Sequence, residues 1–89
     1  MNARDLVAWN VRRLRVLRGI SSETLASDAG VDRAYMSRIE RAIANPTIDV
    51  LERIAKGLRV EIAELFAIPE PHEARPTPLP GGRRSRPRI

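Results

Sequence analysis

The sequence predicts an all-α domain of five short helices followed by a proline- and arginine-rich tail. Three observations carry this expectation. Apolar residues recur at spacings of three and four from Leu6 to Phe66, with no alternating run that would suit a strand. Ser21, Asp32 and Thr47, good helix caps, stand just ahead of apolar runs, and Gly19 and Gly30 close two of them. Six of the seven prolines fall after Ile68, where apolar bulk is nearly absent.

The first helix is read from Leu6 to Arg18, with Val7, Val11 and Leu14 as its inner stripe and Gly19 as its stop. Ser21 caps a second helix, SETLASDA, whose small face is Leu25, Ala26 and Ala29. Gly30 and Val31 form a short link to a third helix, capped by Asp32 and running to about Arg41, with Met36, Ile39 and Ile43 on one face. Thr47 caps a fourth, in which Ile48, Leu51, Ile54, Ala55 and Leu58 repeat at helical spacing. Residues 60–66 supply a short fifth helix, where Val60, Ile62, Leu65 and Phe66 can close the core. The domain is therefore placed at residues 1–68 and a disordered tail at 69–89.

Composition narrows the function. A chain of 89 residues has room for one small core and no second catalytic lobe. It lacks cysteine, and its one histidine, His72, lies among prolines, so neither a disulfide framework nor a metal site is expected. No apolar run approaches the roughly 18 residues that cross a bilayer, and the start lacks a signal-peptide block, so no membrane role and a cytoplasmic location are expected. No nucleophile with a base and no phosphate-cradling glycine loop is present; an enzyme is not expected, nor is a cofactor. The formal charge of +5 is uneven: residues 1–68 carry +2 and residues 69–89 carry +3. Fifteen of the 16 basic residues are arginine.

Glu40 breaks the pattern, because it falls among Met36, Ile39 and Ile43 on the inner face of the third helix. An ionised carboxylate alone there would cost several kcal/mol. Arg15 borders the inner stripe of the first helix one turn after Val11, and a guanidinium on a packed stem can reach inward, so an Arg15–Glu40 ion pair is expected.

With these residues in view, the run from Leu6 to Phe66 resembles the helix-turn-helix domain of the XRE family, the Cro and phage-repressor type. The resemblance rests on Arg15-x-x-Arg18-Gly-Ile-Ser21, Leu25-Ala26, Gly30-Val31, Ser37-Arg-Ile-Glu40, Asn45-Pro46 and Leu58-x-Val60. It implies a lambda-repressor-like fold and the same Arg15–Glu40 pair. The chain departs from the family at Ser22, where glutamine is usual, at Ala42 and Ile43, where glycine and lysine are common, and at Glu61, often serine.

The outer arc of the third helix carries Arg33, Ala34, Ser37, Arg38 and Arg41, with Tyr35 at its edge. In a helix-turn-helix the start of the second helix enters the major groove, which makes Arg33, Ala34, Tyr35, Ser37 and Arg38 the base-contact candidates. An arginine can take both acceptors of guanine, and an alanine can meet a thymine methyl. Arg41, Asn45 and the backbone amides of Ser22 and Glu23 are the phosphate-contact candidates. Arg12 and Arg13 are read as solvated.

The function expected is a sequence-specific DNA-binding transcriptional regulator, a repressor that binds a palindromic operator in double-stranded DNA as a homodimer. The alternative is a protein-binding module, anti-activator or antitoxin-like, acting through Trp9 and Val16, which share a helix face opposite the inner stripe, or through the tail. Ile62, Leu65, Phe66 and Ile68 offer a dimer surface. GGRRSRPRI could track phosphates or simply keep the chain soluble.

Overall fold

A computed structural model describes residues 1–70. Among these residues four α-helices and one 3-10 helix are present and no strand. The disordered tail and the phosphate-tracking or solubilising role expected of GGRRSRPRI fall in residues 71–89, outside the described residues.

Helix α1 spans Ala3–Arg18, three residues earlier than the apolar stripe alone suggests. The reason is a capping box: Asn2 Oδ1 accepts from the Asp5 amide at 2.9 Å, and the Asp5 carboxylate reaches back to the Asn2 amide. Gly19, at φ +70°, ends it. Helix α2, Ser22–Ala29, begins where Ser21 Oγ accepts from the Thr24 amide at 3.0 Å. It stops at Gly30, whose φ of +67° turns the chain so that the Val31 amide donates to the Ala26 carbonyl at 2.8 Å. Helix α3, Arg33–Glu40, starts on Asp32, whose carboxylate accepts from the Ala34 and Tyr35 amides. Helix α4, Ile48–Leu58, starts on Thr47.

The fifth element differs from expectation. It is a single 3-10 segment, Ile62–Phe66, rather than an α-helix. Residue Arg59 at φ +61° turns the chain out of α4, and five residues suffice to lay Leu65, fully buried, across the core. The core joins Val7, Val11 and Leu14 of α1, Leu25, Ala26 and Ala29 of α2, Met36 and Ile39 of α3, and Leu51, Ile54, Ala55 and Leu58 of α4. Each fully buried Val, Leu, Ile or Met side chain among these contributes about 1.5–3 kcal/mol from leaving water. Helix α2 rests mainly on α4, and Gly57 makes that approach possible: a Cβ there would lie 3.1 Å from Leu25 Cδ1.

Three apolar residues placed in the core by periodicity are exposed. Helix α3 ends at Glu40, and Ala42 then adopts φ +62°, so Ile43 leaves the inner face and is 58% exposed. Ile48 occupies the first position of α4 and points outward, and Phe66 is only partly covered at the end of the 3-10 segment.

Candidate nucleic-acid interface

The link between α2 and α3 is short, Gly30 to Asp32, and both helices begin on exposed ends with side-chain caps of their own. On α3, Met36, Ile39 and Glu40 are buried, and Arg33, Ala34, Ser37 and Arg38 are exposed. Tyr35 is half-buried, packed against the core at the edge of this face, and the Arg38 guanidinium lies 5.4 Å from its ring centroid. Arg33 Nη2 pairs with Glu23 Oε2 across the turn. In α2, the Ser22 and Glu23 amides belong to the first turn, ahead of the amides that the cap and the Ser21 carbonyl satisfy. Arg41, at the C-cap of α3, and Asn45, in the link to α4, are both exposed.

The far end of α3 is held firmly. Arg15 donates from Nε to Glu40 Oε2 at 3.0 Å and from Nη2 to Oε1 at 3.1 Å, and its Nη1 donates to the Ile20 carbonyl at 3.1 Å. The Glu40 side chain is 6% exposed and that of Arg15 12%, so this bidentate pair is largely withdrawn from water. Arg12, read from sequence as solvated, instead donates from Nη2 to the Glu40 carbonyl at 3.2 Å, with Nε 4.0 Å from Oε1. Two arginines of α1 thus fix the last residue of α3.

Asn10 was not singled out by periodicity, yet it is 1% exposed. Its Nδ2 lies 3.0, 3.0 and 2.8 Å from the carbonyls of Leu6, Leu65 and Ala67, and its Oδ1 accepts from Arg13 Nε and Nη2. It ties the 3-10 segment to α1, and Arg13 holds the amide in that orientation. Nothing local to Asn10 announces this, since two of its partners lie 55 and 57 residues away.

Trp9 is half-buried rather than a free surface. It walls a groove of about 530 Å³ with Ala8, Arg12, Glu40, Arg41 and Ala42, and its indole N–H is enclosed without a hydrogen-bond partner among the described residues. Val16 is 41% exposed, next to the exposed Leu17. Of the residues offered as a dimer surface, Leu65 is fully buried and Ile62 partly so, which leaves Phe66 and Ile68. Phe66 borders a second, smaller groove with Val7, Ala44, Pro46 and Leu51. No group of acidic, histidine or cysteine side chains able to hold a metal occurs among the described residues.

The family described as helix-turn-helix matches residues 11–65, the stretch from the middle of α1 to the 3-10 segment. The chain belongs to the XRE-type helix-turn-helix family. A hypothetical transcription factor of Neisseria meningitidis is 37% identical over 67 residues, covering 75% of this chain and 63% of that protein. The crystal structure of the Neisseria factor superposes with a TM-score of 0.74 over 76% of this chain and 78% of that one. The restriction-modification controller protein C.AhdI from Aeromonas hydrophila gives a TM-score of 0.69 at 35% identity, covering 71% of this chain and 96% of that chain. Control protein C.SmaI from Serratia marcescens is 34% identical over 66 residues, 74% of this chain and 79% of that protein. The chain spans under two thirds of the Neisseria protein and 38% of the regulator SlrR of Bacillus subtilis.

Proposed function

We propose that this protein is a sequence-specific DNA-binding transcriptional regulator of the cytoplasm, acting as a repressor on a palindromic operator. The observation that carries the reading is the contrast between the two faces of α3. Its inner residues are buried, with Glu40 clamped by Arg12 and Arg15, while its outer face presents Arg33, Ala34, Ser37 and Arg38 to solvent along its length. A basic helix face held at a fixed angle suits insertion into a major groove, with Arg33 and Arg38 taking guanine and Ala34 a thymine methyl. Tyr35, at the edge, would reach a base edge or a phosphate. Arg41, Asn45 and the Ser22 and Glu23 amides would meet phosphates on either side.

One such face reads few base pairs, so two copies, a helical turn apart on the duplex, are the economical arrangement. The exposed apolar side chains Ile43, Ile48, Phe66 and Ile68, with the groove beside Phe66, supply the surface on which a second copy would dock. Both membership of the family and the regulators among its relatives support this assignment. The partner-protein alternative is less favoured, because Trp9 is half-buried rather than a free surface.

The test is selection from a random duplex library at near-physiological salt, with the Arg33→Ala/Arg38→Ala double variant beside the parent. The parent should enrich a two-fold symmetric sequence and the variant should lose it. Enrichment of no sequence by the parent, or of the same sequence by the variant, would overturn the proposal.

A further inference from the structure

We propose that Glu23 is a specificity-determining residue that acts through Arg33, an inference that rests on the DNA-reading function above. Glu23 is the second residue of α2 and Arg33 the first of α3, so their ion pair bridges the two helix starts that face the duplex in that reading. The fold has little use for the pair. Its side chains are 64% and 74% exposed, each helix start has its own cap, and exposed pairs stabilise weakly. A carboxylate on a surface that meets a polyanion would, taken alone, only weaken binding.

The chemistry of the guanidinium gives the carboxylate a purpose. Arginine has five N–H donors spread over two edges, and Glu23 engages only Nη2. The remaining donors can meet the O6 and N7 acceptors of guanine while the carboxylate stays paired. Glu23 then narrows the orientations open to Arg33 and reduces the ordering cost of base contact. If Arg33 instead swings to a phosphate, Glu23 loses its partner and is left unpaired beside the backbone. The penalty falls on the sequence-independent mode alone, which is discrimination by disfavouring the wrong partner.

The experiment measures the affinity of the full chain, E23Q, R33A and E23Q/R33A for the selected operator and for an unrelated duplex of equal length, across a salt series. E23Q should tighten binding to the unrelated duplex by about three- to fivefold, the scale of one exposed charge pair, without a matching gain on the operator, so that the operator-to-unrelated ratio falls. The salt slope on the unrelated duplex should steepen by about 0.9, one added phosphate contact. In the R33A background E23Q should change both duplexes equally and leave their ratio fixed. Unaltered thermal melting in E23Q separates this from a structural role. An operator-to-unrelated ratio that E23Q leaves untouched, or lowers equally without Arg33, overturns the inference while the regulator reading stands. A parent that prefers no sequence overturns both.

Discussion

Replacing Glu40 by glutamine should remove a large part of the domain's stability. The substitution keeps the side-chain volume and one oxygen but turns an amide N–H₂ toward donors that now have no anion to meet. Arg15 loses one of two short bonds, at 3.0 and 3.1 Å, and keeps one neutral amide oxygen and the Ile20 carbonyl; Arg12, with Nε 4.0 Å from Oε1, loses its counter-charge as well. Breaking a buried pair by deleting one partner costs about 3–5 kcal/mol, because the surviving charge stays in a poorly solvated place. An ordered domain of this size has roughly 4–10 kcal/mol in total, so Glu40→Gln should remove from about a third to all of it. The corresponding fall in Tm is at least about 12 °C. Urea unfolding followed by circular dichroism, with the slope compared between variants, is the direct assay. The double variant Arg15→Met/Glu40→Leu removes both charges and should recover much of the loss. A Glu40→Gln protein that unfolds within about 1 kcal/mol of the parent would refute the argument, and would mean that water compensates the carboxylate after all.

Three further outcomes follow from the same geometry. Asn10→Ala strips the Leu65 and Ala67 carbonyls of their donor and should cost about 2–3 kcal/mol, with faster amide exchange concentrated in Ile62–Phe66; uniform exchange would contradict the tie. Ala42→Gly relieves a left-handed residue at φ +62° and should raise stability by about 0.5–1 kcal/mol in thermal melts. Gly30→Ala should lower stability by about 1 kcal/mol through backbone strain at φ +67° alone, since an added Cβ there meets nothing within 4 Å.

Much of the fold can be read from the chain because its helix boundaries are written in local chemistry. Ser21, Asp32 and Thr47 each cap the helix that follows, and Gly19 and Gly30 each take the left-handed turn that a stop requires. The end of α3 escapes this logic: Ala42 adopts a conformation that glycine usually marks, so periodicity carries Ile43 inward when the backbone has already turned away. The outward arc of α3 follows from helical geometry, and so does the suspicion that Glu40 needs a cation. Asn10 and Arg12 do not, because their partners are carbonyls brought near only by the completed fold. Neither does the pairing of Glu23 with Arg33, which depends on the angle at which two helices meet.

The clamp on Glu40 makes α3 a cantilever, fixed at its root by α1 and open at its tip. Side chains on its outer face support almost none of the core, and those on its inner face present almost nothing to solvent. Changes at 33, 34, 37 and 38 can therefore alter what the helix meets without drawing on the stability that holds it in place. A scaffold divided in this way can move between targets by single substitutions that folding does not oppose, which separates the inheritance of the shape from the inheritance of the address it reads.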